Sequence, residues 1–222
     1  MRLETYPDRD MMFVELAQEL AGDLNTCLAT HDHASFVVPG GRTPGPVFDV
    51  LSAADLDWSR VHVFLTDERW VPEDHARSNT RLVRERLLTG RAAAAVMLPM
   101  RTDAARPEDA VEGLSRGLDE ELPISVLLTG MGGDMHTASL FPGAAELEAA
   151  LDREAPVVMA VRPPGQEPRV TLTAPVLAGA MTKHVLIAGQ DKRDAFEAAR
   201  DLPPEKAPIA AIWEGATVHW AP

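Results

Sequence analysis

The sequence predicts an α/β fold with a mainly parallel sheet flanked by helices. Three observations lead there. The apolar runs are short and apolar throughout rather than alternating, as in strands covered on both faces. Helical patterns separate most of these runs, which lets successive strands lie parallel. Several runs end in Gly- or Pro-rich turns that carry polar residues. With 45% apolar and 25% charged residues, the 222-residue chain has ordinary globular composition, which excludes disorder and collagen-like repeats. Aromatic residues reach only 5%, so the core must rest on Leu, Val, Ile and Ala.

The elements follow in order. From Arg9 to Ala29, Met12, Leu16, Leu20 and Leu24 recur every four residues and mark one helical stripe. Ser35–Val38 is a strand closed by Pro39-Gly40-Gly41. Thr43 is the expected N-cap and Pro44 the first position of a short helix holding Val47, Phe48 and Leu51. Val61–Leu65 is a strand, and Ser78–Leu88 a helix stopped by Gly90. Glu108–Leu122 reads as a helix and Ile124–Leu128 as a strand ending at Gly130. Val157–Val161, Arg169–Thr173, Val185–Ala188 and Ile209–Trp213 are further strands, with helices over Ala174–Met181 and Lys192–Arg200. Pro163–Pro168 is a loop between two strands rather than a linker, so residues 1–222 are expected to form one domain.

Charge and cysteine content narrow the setting. With 21 Lys and Arg against 34 Asp and Glu, the net charge is −13, a field that repels nucleic acids and anionic membranes. A small anionic substrate remains open where cations converge. Cys27 stands alone, so no intrachain disulfide is expected, and a cytoplasmic protein is the simplest reading. The first residues lack the apolar core of a signal peptide, and no apolar stretch nears the roughly 20 residues of a membrane span. The oligomeric state is left open.

Ligands of open parallel sheets bind outside the carboxyl ends of the strands, and four strand ends here carry candidate chemistry. Gly40-Gly41-Arg42-Thr43-Pro44 offers free backbone N–H groups and a guanidinium, either as an anion site or as a tight turn with a solvated arginine. Thr66-Asp67-Glu68-Arg69 places three charges directly after a strand; taken alone it reads as a solvated turn, and Arg81 further on as a surface residue. Gly130-Met131-Gly132-Gly133-Asp134-Met135-His136 is a Gly-rich turn presenting an imidazole, the group suited to general-base work near neutral pH. It is not a dinucleotide fingerprint, because Met135 stands where the third glycine belongs. Ser139 lacks a nucleophile elbow and reads as structural. Gly189-Gln190-Asp191-Lys192 adds a further strand-end glycine and a cation. His31 and His33 form only a weak chelating pair, while His62, His184 and His219 lie in apolar runs and read as packed. No metal is expected.

Taken together, Gly40–Pro44, Thr66–Pro72 with Ser78-Asn79, and Gly130–Pro142 resemble the 6-phosphogluconolactonase family. Arg169–Thr173 and Gly189–Lys192 are similar to its later segments, so the resemblance spans nearly the whole chain. It implies a modified doubly wound, Rossmann-like fold shared with amino-sugar-phosphate isomerases, and hydrolysis of 6-phospho-D-glucono-1,5-lactone without a cofactor. By the same resemblance, His136 is the base that activates water, and Asp67 and Arg69 order the lactone. Gly40, Gly41, Arg42 and Thr43 contact the phosphate, with Lys192 and Arg169 as further cations. Two departures stand out: Met135 replaces the usual glycine before the histidine, and Pro39 stands where serine is common. An isomerase-deaminase acting on an amino-sugar phosphate, and a non-catalytic sugar-phosphate sensor, are the rival expectations.

Overall fold

A computed structural model describes residues 1–222. Its main sheet has seven strands: β1 (Arg2–Thr5), β2 (Ala34–Val38), β3 (Val61–Leu65), β5 (Val96–Met97), β6 (Val126–Gly130), β9 (Thr182–Ala188) and β10 (Ala216–Ala221). Their order is β1-β10-β9-β6-β2-β3-β5, and every neighbouring pair is parallel. The parallel α/β prediction therefore holds. A second, three-stranded antiparallel sheet, absent from that prediction, consists of β4 (Asp67–Arg69), β8 (Arg169–Leu172) and β7 (Val158–Val161).

Seven α-helices accompany the strands: α1 (Arg9–Leu28), α2 (Gly45–Leu51), α3 (Asn79–Arg86), α4 (Val111–Leu118), α5 (Leu147–Leu151), α6 (Ala174–Ala178) and α7 (Gln190–Ala199). The four-residue stripe of α1 is buried as expected, with Met12, Leu16, Leu20 and Leu24 fully inaccessible. Asp8 caps that helix, its carboxylate accepting from the Met11 N–H at 2.8 Å. One apolar cluster of 53 buried residues joins helices and sheets. No helix is long and apolar enough to cross a membrane.

Several boundaries differ from the sequence reading, each for a local reason. Ile209–Trp213 is not a strand: Pro208–Ile212 forms a 3₁₀ turn, opened by the proline and closed by Ala210 N–H donating to the Ala207 carbonyl. The last strand is instead Ala216–Ala221, whose buried His219 broke the apolar pattern. The predicted helix over 108–122 contracts to α4, between 3₁₀ turns at Pro107–Asp109 and Asp119–Glu121, with the poor helix formers Gly113 and Gly117 inside it. Thr43 does not cap α2; Pro44 takes that position, without a side-chain hydrogen bond. Asp67–Arg69 is a strand rather than a solvated turn, and Asp67 and Glu68 are buried.

The sheet order locates the site. From β2 the chain moves outward through β3 and β5, then returns to place β6 on the other side of β2. The turns after β2 and β6 thus diverge, opening a crevice at the carboxyl edge where doubly wound sheets bind ligands.

Candidate active site

One cleft of about 260 Å³ occupies that crevice. Its walls include Gly40, Gly41 and Thr43 after β2, Asp67 and Arg69 on β4, Gly130, Gly132 and His136 after β6, Arg169 on β8, and Lys192 on α7. Eight of the nine residues expected at the site are therefore together. Arg42 is the exception: it is exposed and does not line the cleft, so its charge stands outside the walls that Arg69, Arg169 and Lys192 provide.

The histidine turn is built for close approach. His136 Nδ1 lies 2.5 Å from Asp134 Oδ1. An ionised carboxylate only accepts, so Nδ1 carries a proton, and the neutral tautomer of that geometry has its lone pair at Nε2, which no protein group engages. Burial raises the Asp134 pKa, yet the His136 charge and hydrogen bonds outweigh it and leave the carboxyl below its ordinary value. Gly132 makes room for the pair: a Cβ there would stand 2.1 Å from His136 Nδ1 and 2.3 Å from Asp134 Oδ1. The turn closes through Gly132 N–H donating to the His136 carbonyl at 2.8 Å. Met135 has φ +68°, the left-handed region that favours glycine, so the methionine adopts the backbone a glycine would take there.

A buried network holds Asp67. Ser139 Oγ donates to its Oδ2 at 2.6 Å, Thr66 Oγ1 donates to its Oδ1 at 3.2 Å, and Arg169 stands 3.6 Å from Oδ2. Ser139, read from sequence as structural, ties the histidine turn to the Asp67 strand. The Phe141 ring lies 4.6 Å from the His136 ring and 5.2 Å under the Arg169 guanidinium, joining the same two walls. Burial also pulls the Arg169 pKa down, with the Asp67 charge opposing it. Arg69 Nη1 donates to the Arg77 carbonyl at 2.7 Å, whereas Arg69 Nε and Arg169 Nε are buried without partners. Both unpartnered guanidinium N–H groups are sealed in the cleft wall rather than open to it. Lys192 Nζ donates to the Met131 carbonyl at 2.9 Å, and burial lowers its pKa against the charges of Asp134 and Asp191.

Sequence reasoning did not assign Glu68 a role. Its carboxylate is 1% exposed and accepts five hydrogen bonds, from Arg69 N, Ser78 Oγ, Asn79 N, Thr80 N and Thr80 Oγ1. It thereby satisfies the orphan N–H groups that open α3 and fixes Asn79. Asn79 Nδ2 in turn donates to the Asp67 carbonyl at 2.8 Å, and its side chain fills the space where a Gly40 Cβ would stand. The only signal in sequence was three charges following a buried strand. His31 remains in an exposed turn, while His33 and His62 meet at the opposite sheet edge.

Known proteins are similar to this chain over nearly its whole length. A 6-phosphogluconolactonase of Pseudomonas aeruginosa is 44% identical over 214 residues, covering 93% of this chain and 89% of that protein. One of Mesorhizobium japonicum is 38% identical over 98% of this chain and 94% of its own length. The crystal structure of a 6-phosphogluconolactonase from Shewanella baltica superposes with a TM-score of 0.96 at 31% identity, covering 100% of this chain and 98% of that one. Residues 7–220 match the family model described as glucosamine-6-phosphate isomerases/6-phosphogluconolactonase. With a parallel sheet whose β2 and β6 turns enclose one cleft, and relatives matched almost end to end, the chain belongs to the glucosamine-6-phosphate isomerase/6-phosphogluconolactonase family.

Proposed function

We propose that this chain hydrolyses 6-phospho-D-glucono-1,5-lactone to 6-phosphogluconate, acting as one domain over residues 1–222. The observation that carries the reading is the single cleft joining the His136–Asp134 pair to the Gly40–Thr43 turn. Nε2 of His136 takes a proton from water as the water oxygen attacks the lactone carbonyl, and the carbonyl electron pair moves onto oxygen. Collapse of that intermediate breaks the bond to the ring oxygen, which leaves with the proton held by His136. One water is consumed, and one carboxylic acid and one hydroxyl form. General-base help of this kind supplies about 10²–10⁴-fold.

The remaining residues bind and orient. The Gly40 and Gly41 amides, Thr43 and Lys192 take the phosphate, while Arg42 at the rim adds long-range attraction for an anion. Arg69 and Asp67 order the ring and its water. Arg169 lines the cleft as a further cation and holds Asp67 and Phe141 in place. The phosphate supplies binding energy remote from the reacting carbon. A small phosphorylated sugar in the cytoplasm, rather than nucleic acid or membrane, is the partner this reading expects.

The test generates the lactone in situ and follows acid release with and without the protein. Faster release on the phosphorylated lactone than on unphosphorylated gluconolactone supports the assignment. Equal rates on both remove the phosphate role. Ammonia release from glucosamine-6-phosphate, or tight binding of 6-phosphogluconate without turnover, replaces the assignment with the isomerase or the sensor.

A further inference from the structure

A second cluster of chemically capable side chains lies at the opposite, amino-terminal edge of the main sheet. His33 immediately precedes β2, His62 is the second residue of β3, and Glu121 ends the 3₁₀ turn that leads to β6. Because β6, β2 and β3 are adjacent, their starts bring these residues together. His62 Nδ1 lies 2.8 Å from Glu121 Oε1, and His33 Nε2 lies 3.2 Å from Glu121 Oε2. One nitrogen from each imidazole and the Glu121 carboxylate oxygen stand within 4.8 Å of one another.

Glu121 is buried, and its Oε2 makes no hydrogen bond. A buried carboxylate oxygen without a hydrogen bond is costly unless a positive group completes its surroundings. The backbone around it is anchored. Ser35 Oγ donates to the Glu121 carbonyl at 2.9 Å, and the Arg60 guanidinium donates to the carbonyls of Leu28, His31 and Asp32, fixing the turn that carries His33. Asp32 and Glu120 line the adjoining crevice and add negative charge. Two ligands of a tetrahedral zinc ion, each bonded at about 2.0–2.1 Å, stand about 3.3 Å apart. The His33–Glu121 separation of 3.2 Å already matches that value, and the His62–Glu121 hydrogen bond at 2.8 Å opens by about half an ångström to admit the ion.

The other histidine cluster shows the contrast. Tyr6 Oη meets His219 Nδ1 at 2.8 Å, His219 Nε2 meets His184 Nδ1 at 3.0 Å, and His184 Nε2 meets Asp23 Oδ2 at 2.8 Å. Every ring nitrogen there is hydrogen-bonded, whereas at the first cluster His62 Nδ1 bonds only Glu121 and neither the His33 ring nor Glu121 Oε2 makes a hydrogen bond. We propose that His33, His62 and Glu121 form a binding site for one first-row divalent cation, zinc(II) foremost, which clamps the starts of β6, β2 and β3 away from the catalytic cleft. Two imidazoles and one carboxylate are a donor set that zinc takes, leaving a fourth position for water.

The test titrates chelator-stripped full-length protein with Co(II), followed by Zn(II). The proposal expects visible d–d absorption that saturates at one equivalent, is displaced by zinc, and accompanies a rise in Tm. His33 is 37% exposed, so His33→Ala keeps the metal-free protein folded while weakening binding beyond the about 10–100-fold that loss of an outer partner costs. Glu121→Gln weakens it likewise, whereas His31→Ala and His136→Ala bind as the parent does. Absence of the absorption band, or wild-type affinity in His33→Ala, overturns the proposal.

Discussion

Replacing Glu68 by glutamine tests how far one buried carboxylate supports the cleft. Its Oε1 accepts from the N–H groups of Arg69 and Asn79, each at 2.8 Å. Its Oε2 accepts from Thr80 N at 2.7 Å, Thr80 Oγ1 at 2.8 Å and Ser78 Oγ at 3.1 Å. An amide has only one acceptor oxygen, so its NH₂ must face one of these donor sets. The cheaper orientation turns the NH₂ toward the two hydroxyls, which can rotate to accept, and leaves the Thr80 N–H unsatisfied. One buried unpaired donor costs about 1–3 kcal/mol, and charge assistance is lost from the remaining bonds, giving about 3–5 kcal/mol in all. Urea denaturation of both proteins reads that difference directly. Because Asn79 and Arg69 depend on the same carboxylate, kcat/KM on the in situ lactone falls as well, by at least about 10-fold, or 1.4 kcal/mol. A stability loss below about 1 kcal/mol with unchanged kinetics refutes the anchoring role.

Other expectations follow from neighbouring features. Gly132→Ala forces His136 and Asp134 apart, since the new Cβ would stand 2.1 Å from Nδ1; kcat falls by at least about 10-fold, or 1.4 kcal/mol in barrier, with the urea midpoint nearly unchanged. Met135→Gly relieves a left-handed backbone worth about 1 kcal/mol but adds a similar chain-entropy cost, so stability shifts by less than about 1 kcal/mol. A kcat gain above about 10-fold in that variant would show that the methionine misdirects the imidazole. His219 has its pKa lowered to about 3 by burial, with the His184 charge adding to the effect. Below its ordinary value near 6.5 the unfolded chain binds a proton that the folded chain refuses, so stability is lost from about pH 6.5 down toward pH 3. Between pH 7.5 and 5.0 this residue removes about 2 kcal/mol, and His219→Gln lacks that part of the slope in urea melts at the two pH values.

The sequence carried the frame of this molecule because the frame rests on apolar periodicity. Met12, Leu16, Leu20 and Leu24, or the run Val61–Leu65, announce their burial by spacing alone. Prediction failed where burial is polar. His219 sits fully buried in β10 inside a hydrogen-bonded relay, so its strand looked interrupted, while the more apolar Ile209–Ile212 turned out to be a 3₁₀ turn behind a proline. The same limit hid part of the site. His136 and the glycine turns stand out because few other roles suit such residues at a strand end. Glu68 resembled a solvated charge, since four of its five donors come from the cap and first turn of α3, ten to twelve residues later. Arg42, conspicuous in the sequence, faces outward from its turn, a matter of local backbone direction that residue type does not encode.

In the proposed reaction the His136 imidazole activates water for attack on a phosphorylated lactone. Turnover by His136→Ala, with the lactone generated in situ and with 6-phosphogluconate binding measured alongside, tests it most directly. The expected kcat is lower by about 10²–10⁴-fold while product affinity stays near the parent value. Turnover within about threefold of the parent, under about 1 kcal/mol of barrier, would place the base elsewhere and remove His136 from the mechanism.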